Sequence, residues 1–570
     1  MQPSNLAVRS PERNYEGSSP PERLAVSAAR PLGHVVSVNG SRAVIALDSA
    51  THSRQHGQSL SVGKLVSIDS GASRAIGLIF AAETAGHGAP ASQHGTTLLS
   101  VELTGEIQVA DSGSASFDRG IRNYPSVGAA AYPLDPFALE TIYKCSGGDT
   151  IVIGRLAQDE RIEARLKVRD LLQKHFAVLG TTGCGKSSAI ALILHEVLRV
   201  GGGTRVLLID PHNEYKSAFG DSAEVVSPRN LSLPYWLFNF EELIDVIYRR
   251  RPGVAEEIDT LADLIPLAKA RYAQGADRSA SLLRRDADDG GHTVDSPVPY
   301  RMADVIGMID EQLGKLDGKD DRPKLRRLRS RIQSIVSDSR YRFIFAGRTI
   351  DDTMSDLLAT LFRIPVAGKP ITIVEMAGFP AEVVDAVVSV LCRLAFDLGV
   401  WGGGRVPVLV VCEEAHRYVP ADKAMGFGPT RRAISRIAKE GRKYGVYLGL
   451  VTQRPKELDA TILSQCSTIF AMRMANEADH AIIRSAVSDA ATSTLAALPS
   501  IGNREAIAFG EAVPVPMRVR FAALPPTALP QNRLSGLRTP QSQDAWSEAG
   551  SADFLAEVVE RWRSAAHRES

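Results

Sequence analysis

Apolar and polar positions change rhythm twice along the chain. From about residue 32 to 157, short β-branched runs are broken by Gly, Ser and Asn: "GHVVSVNGSRAVIAL", "GKLVSIDS", "AIGLIF", "VELTGEIQV" and "DTIVIGRL". Many short strands with turn signals between them predict a small N-terminal β-barrel over 32–157. From 158 to 522 the runs "HFAVL", "RVLLID", "ITIVEM", "VPVLVVCEE" and "YLGLVTQ" alternate with helical stretches. That alternation predicts an α/β core, a parallel sheet with helices on both faces.

Between about 235 and 345 the pattern turns helical and charged, which predicts a helical insertion in the core. Within it, "RPKLRRLRSRIQSIV" reads as a basic helix and "YAQGADRSASLLRRDADDGGHTVDSP" as a loop or disordered segment. Residues 1–31 read as a disordered tail without the apolar stretch of a secretory signal. Residues 523–570 read as a Pro-rich linker and a final amphipathic helix, "SADFLAEVVERWRSAAH". The most apolar long run, 371–401, is interrupted by Glu375, Pro380, Glu382 and Asp385. It therefore predicts a buried strand and helix and no membrane span.

Composition changes this picture little. The chain has 570 residues, 44% hydrophobic and 23% charged, with a formal net charge of +1. That length predicts two or more domains, and no global basic field advertises nucleic acid. The five cysteines, Cys145, Cys184, Cys392, Cys412 and Cys466, form no CxxC pair. This argues against a zinc or disulfide scaffold and suits a cytoplasmic location.

The chemistry starts at 175–193, "HFAVLGTTGCGKSSAIALI". Gly180, Thr181, Thr182, Gly183, Cys184, Gly185, Lys186 and Ser187, followed by Ser188, match GxxxxGK[ST] between a strand ending at Leu179 and a helix beginning near Lys186. Glycines let the backbone turn its N–H groups to one point, and the helix N-terminus adds positive potential there. Such a loop cradles the phosphates of ATP, with Lys186 on the β- and γ-phosphates and the Ser187 hydroxyl on Mg2+.

Hydrolysis also needs a metal organiser and a group that orients water. "VPVLVVCEEAHRYVP" places Glu413 and Glu414 at the end of an apolar strand, where α/β sheets hold ligands. Glu413 is the metal-side acid and Glu414 the candidate general base. "GVYLGLVTQRP" ends a second strand at Thr452 and Gln453, and that amide is a candidate γ-phosphate sensor. Asp210 stands at another strand end without an assigned chemical role. His212 and His416 lack a third ligand at metal spacing. In "TRRAISRIAKEGRKYG" the apolar face is Ile434, Ile437 and Ala438, surrounded by Arg436, Lys439, Arg442 and Lys443. Composition alone favours a solvated basic face over an arginine reaching a neighbour's γ-phosphate. Arg473 is a weaker candidate for that reach.

Several segments together resemble the HerA ATPases: "HFAVLGTTGCGKSS", "IDPHNEY", "LPYWLFNFEEL", "CEEAHRYVP", "RIAKEGRKYGVYLGLVTQRPKELDATILSQCSTIFAMRM" and "REAIAFGEAVPVPMRVRF". The resemblance spans about 32–522 and is loose in the barrel. It implies a RecA-like P-loop NTPase core behind a HAS-barrel-like domain. It also implies a homohexamer with nucleotide sites between subunits and double-stranded DNA in the channel, gripped through its phosphates. Carried over by position, Lys186 and Ser187 hold phosphate and Mg2+, Glu413 and Glu414 form the acidic motif, and Gln453 is the sensor. Arg442 becomes the finger acting in trans, and Lys423, Arg431 and Arg432 become pore candidates. Two departures stand out: Glu413 replaces the Asp of many ATPases, and Asn213 replaces a frequent Gly.

The family implies a nuclease partner in DNA-end resection or anti-phage defence, or a sirtuin-like effector encoded nearby. Two other classes compete with an ATP-driven DNA translocase or helicase. One is an ATP-gated scaffold that activates an effector. The other is a secretion or conjugation ATPase, which the absence of a membrane span disfavours.

Overall fold

The computed structural model describes residues 30–531, except 49–60, 72, 85–95, 110–113, 146–147, 201–202, 250, 278–290, 315–321, 346–350 and 487–493. Most of the expected N-terminal tail, and the expected C-terminal helix, lie outside these residues. The chain divides into two compact units, 1–142 and 143–570.

The first unit is a barrel. Its strands are β1 (Gly33–Asn39), β2 (Arg42–Leu47), β3 (Leu65–Asp69), β4 (Ser73–Thr84), β5 (Thr97–Val109), β6 (Ala115–Arg119) and β7 (Ala130–Pro133). The order β2-β1-β7-β3-β4-β5 closes on itself because β5 also pairs with β2, and β6 lies outside on β5. Closure removes the sheet edges that would otherwise invite foreign strands. Two strands as long as β4 and β5 must bend to close, and their register shifts at Ile76/Gly77 and Ile79/Ala81. The alternating residues Val35, Ile45, Val66, Ile68, Ile79, Leu99 and Val101 fill the interior.

The second unit holds an eleven-stranded sheet. Its strands are β8 (Thr150–Leu156), β9 (Asp159–Lys167), β10 (Phe176–Leu179), β11 (Arg205–Asp210), β12 (Ala223–Val226), β13 (Ile371–Glu375), β14 (Val408–Cys412), β15 (Val446–Thr452), β16 (Thr468–Met472), β17 (Glu505–Gly510) and β18 (Met517–Phe521). The order is β12-β13-β11-β14-β15-β10-β16-β17-β18-β8-β9. From β12 to β16 neighbouring strands are parallel, and from β16 to β9 they are antiparallel. Strands β10, β13, β14, β15 and β16 are buried at every position. That is why they read as continuous apolar runs: helices cover both faces of a parallel sheet. The run 371–401 folds as β13 and the buried helix Val384–Trp401.

Two boundaries differ from the sequence pattern. The run "DTIVIGRL", grouped there with the barrel, is β8, and it pairs with β9 and β18 in the core sheet. The barrel unit therefore ends near 142, not 157. A β-branched run fixes that a strand forms; the partner it pairs with is decided by contacts far along the chain. The start of the expected linker is also packed: the Ser217 hydroxyl donates to Leu529 O at 3.0 Å, and Gln531 N donates to Glu214 O at 2.9 Å.

The helical insertion contains the helices Phe240–Tyr248, Ala255–Asp277, Met302–Gly314 and Arg322–Val336, the last being the expected basic helix. The expected loop 272–297 is helical up to Asp277, and 278–290 lie outside the described residues. Asn239 caps the first helix and Glu242 completes a capping box. No described helix is long and apolar enough to cross a membrane.

Candidate functional site

The parallel strands all point one way, so their last residues share one edge of the sheet. Leu179 is in register with Thr452, Cys412 with Leu450, and Ile209 with Cys412. Gly180, Asp210, Glu413 and Gln453 follow or end these strands and are thereby gathered along that edge.

The phosphate loop joins β10 to the helix Lys186–Val200, the limits the sequence gives. Fifteen residues of helix direct the positive end of their dipole at the loop. Gly185 has φ +104°, a conformation that L side chains rarely adopt. At Gly180 a Cβ would meet Met472 Cβ at 2.7 Å, so only glycine lets the loop pack against β16. The Thr181 N–H and hydroxyl both donate to Arg473 O, at 3.1 and 3.0 Å. The Lys186 ammonium donates to Thr181 O at 3.1 Å. Cys184 is buried, and that burial raises its thiol pKa. Ser188 follows in the first turn of the helix.

Ser187 connects the loop to the acids. Its hydroxyl lies 3.2 Å from Glu214 and 3.4 Å from Glu413 Oε1. Tyr215 donates its hydroxyl to the same Glu413 oxygen at 3.2 Å. Asp210 accepts the backbone N–H groups of His212 and Tyr215, at 3.2 and 3.0 Å, and so shapes the turn that presents Glu214. Asn213 occupies this turn at φ +57°, a left-handed position that asparagine tolerates as a substitute for glycine.

Burial, reinforced by the charges of Asp210, Glu214 and Glu414, pushes Glu413 up to about 8. Burial pushes Asp210 up to about 6. Glu413 Oε2 is buried without a hydrogen-bond partner among the described residues. Crowded acids beside a hydroxyl, with unsatisfied oxygens on both Glu413 and Glu414, are a donor set that a divalent cation satisfies. No trio of His, Cys, Asp and Glu among the described residues forms a metal cluster by itself. Mg2+ needs none, because it binds through one or two protein oxygens, water and phosphate.

Glu414 sits in the left-handed region at φ 51° and is buried. Its carboxylate lies 3.6 Å from His212 Nε2 and 3.3 Å from His416 Nδ1. The His416 ring also reaches Thr452 Oγ1 at 2.9 Å, which links the acid to the end of β15. Burial lowers the His416 pKa. Both histidines thus face Glu414. On the same flank of the loop, Gln453, which follows β15, accepts a hydrogen bond from the Thr182 hydroxyl.

The basic segment folds as the helix Gly428–Glu440 and the turn Gly441–Tyr444. Ile434, Ile437 and Ala438 are buried as the face pattern requires. Arg442 is exposed and lies four residues before β15, at the opposite end of that strand from Gln453. Seven strand residues span about 23 Å, so Arg442 does not reach the phosphate loop of its own chain. Arg436 stacks on Phe396, 4.2 Å from the ring centroid. Arg431 donates to Lys423 O at 3.0 Å in the exposed segment 421–426, whereas Arg432 pairs with Glu241. Sequence reasoning passed over Glu214 and Tyr215, whose one signal was their place in "IDPHNEY", and Arg504, whose backbone N–H donates to Cys184 O at 2.9 Å.

Residues 151–395 match a protein-family model described as "Helicase HerA, central domain". A probable helicase of Methanocaldococcus jannaschii is 26% identical over 406 residues, covering 70% of this chain and 71% of that protein. The DNA double-strand break repair helicase HerA of Pyrococcus furiosus is 26% identical over 436 residues, covering 69% of this chain and 73% of the relative. Among solved structures, VirB4 of Thermoanaerobacter pseudethanolicus superposes with a TM-score of 0.45 at 16% identity, over 67% of this chain and 97% of that one.

Proposed function

We propose that this chain, an ATPase with the core of the HerA helicases, is a ring motor that hydrolyses ATP to move along or unwind double-stranded DNA. The observation that carries this reading is the division of the hydrolytic groups between two edges of one sheet. Lys186, Ser187, Glu413, Glu414 and Gln453 gather at the strand ends, and Arg442 stands at the strand starts. A site built from both edges is complete only between two copies, and head-to-tail contacts of that kind close into a ring. Six subunits is the number that the resemblance supplies.

At each site the loop N–H groups and Lys186 bind the β- and γ-phosphates. The residues that would hold Mg2+ are Ser187 directly and Glu413, with Glu214 beside it. When bound, the ion supplies charge neutralisation at the phosphates. Glu414 takes the proton of the attacking water, Gln453 reports on the terminal phosphate, and Arg442 of the neighbouring copy stabilises the charge that develops there. Lys423, on the exposed segment, and the half-buried Arg431, which reaches it from the following helix, are candidates to grip DNA phosphates in the channel. The effector we propose is a nuclease, or a sirtuin-like protein, encoded nearby and acting in DNA-end processing or anti-phage defence.

The test measures ATP turnover by purified protein with and without linear duplex DNA, alongside particle mass by light scattering. The expected result is a particle of several subunits whose turnover rises several-fold with duplex. Turnover that is indifferent to DNA would refute the motor and leave the ATPase standing.

A further inference from the structure

We propose that Arg504 is a nucleotide-binding residue whose guanidinium holds the phosphate next to the ribose. This rests on the ATPase reading above and deepens it.

The phosphate loop has two flanks, set by the strand order β14-β15-β10-β16-β17. Glu413, Glu414 and Gln453, the groups assigned to the terminal phosphate, come from β14 and β15 on one flank. The nucleoside half of a bound nucleotide therefore lies toward β16 and β17. Arg504 immediately precedes β17, on that second flank. Its backbone N–H donates to Cys184 O at 2.9 Å, and its carbonyl accepts from Phe521 N at 2.9 Å. Its Cγ is 3.1 Å from the point where Gly185 would carry a Cβ. The residue thus lies against the phosphate loop itself.

Three further features mark it. Arg504 has φ +59°, a conformation in which glycine is the cheaper residue. The turn around it is braced: Glu505 accepts Arg518 at 3.0 and 2.7 Å, Arg520 at 3.1 and 3.0 Å, and Gly502 N at 3.3 Å. Glu505, the residue that follows Arg504, is thereby paired with two other arginines. Finally, Arg504 is exposed, and its guanidinium has no hydrogen-bond or ion-pair partner among the described residues. A free planar cation fixed beside a phosphate cradle is suited to bind an anionic oxygen bidentately. The sugar-side phosphate is common to ADP and ATP, so the contact persists through turnover. The competing explanation is a solvated arginine whose backbone alone matters.

The experiment compares full-length wild type with Arg504→Gly, Arg504→Ala and Arg504→Lys. Arg504→Gly keeps the left-handed backbone while removing the guanidinium. ADP and a non-hydrolysable ATP analogue are titrated by calorimetry, and KM and kcat are measured for ATP. The expected result is about tenfold weaker binding of both nucleotides in Arg504→Gly and Arg504→Ala, with kcat within about twofold and most affinity recovered in Arg504→Lys. Wild-type affinity in Arg504→Gly would overturn the inference, because only the backbone would then count. Loss for the ATP analogue alone would overturn the assignment to the sugar-side phosphate. Failure of wild type itself to bind either nucleotide would overturn the ATPase reading, an outcome distinct from any pattern among the Arg504 variants.

Discussion

Glu414 lies 3.3 Å from His416 Nδ1, with its backbone held at φ 51° and both side chains shielded from solvent. A non-glycine residue held in that conformation at a strand end is aimed by the fold and not by its own preference. If Glu414 takes the proton of water, Glu414→Gln keeps the nucleotide pocket and loses the base. Phosphate release by this variant is expected to fall at least roughly a hundredfold, with ATP affinity retained. Lys186→Ala is expected to stay folded and lose hydrolysis, because it removes the cation assigned to the β- and γ-phosphates. Turnover near wild type in Glu414→Gln would transfer the role of base to another residue.

Arg442 and Gln453 occupy opposite ends of β15. Complementation between defective subunits follows from that separation. Arg442→Ala lacks the half of the site that a subunit gives to its neighbour, and Lys186→Ala lacks the half it keeps. Mixed rings contain some interfaces with both halves intact, so their turnover is expected to exceed that of either parent. No gain on mixing, or full activity of Arg442→Ala alone, would point to Arg436 as the next residue to test.

What the sequence makes legible here is local. The strand ending at Leu179 and the helix starting at Lys186 follow from an apolar run meeting glycines, and the fold places both limits there. Glu413, Glu414 and Gln453 are legible because each ends an apolar strand, and strand ends in a parallel sheet share an edge. What the sequence hides depends on topology. β8 has the same β-branched pattern as the barrel strands, and only its pairing with β18, where Leu156 meets Val519, assigns it to the core. Arg504 carries no local signal, because the turn before β17 meets the phosphate loop only after two antiparallel strands fold back beside β16. The edge on which Arg442 lies is likewise a property of strand direction.

Buried His175 joins three elements at the strand-start edge. Leu448 N donates to its Nδ1 at 2.9 Å, so the ring proton is on Nε2, 3.1 Å from Ala438 O. Burial lowers its pKa to about 4, with the Arg442 charge also acting in that direction. The unfolded chain, with an ordinary His pKa near 6.5, binds the proton first as pH falls. Stability from this residue is therefore complete above about pH 6.5 and is lost as pH falls toward 4, by roughly 3 kcal/mol over the whole window. Asp210, raised to about 6, acts in the opposite sense, since its folded form takes up the proton first. Subtracting the denaturation profile of His175→Gln from that of wild type cancels Asp210 and leaves the His175 slope. A difference profile that is flat from pH 7 to 4 would show that the ring is not held neutral.

The corrected domain boundary gives two truncations with opposite outcomes. Removing residues 1–142 takes away the barrel unit and leaves all eleven core strands. Removing 1–157 also removes β8, with Ile151, Ile153 and Leu156 buried in the core unit. Each such side chain contributes on the order of 1.5–3 kcal/mol when buried, and the loss leaves β9 and β18 without the strand between them. The shorter truncation is expected to melt within a few degrees of the intact core and to hydrolyse ATP. The longer one is expected to be insoluble or to melt far lower. Equal stability of the two would mean that β8 is dispensable to the core sheet. The folded truncation then tests what the barrels do in the proposed ring. Barrels on every subunit offer a repeated surface, and several weak contacts to one effector add up when the ring forms. Light scattering and co-purification with the neighbouring gene product are measured on the same preparation. An oligomer that has lost its partner is the result expected if the barrels dock the effector. An oligomer that keeps its partner would move the docking surface to the core.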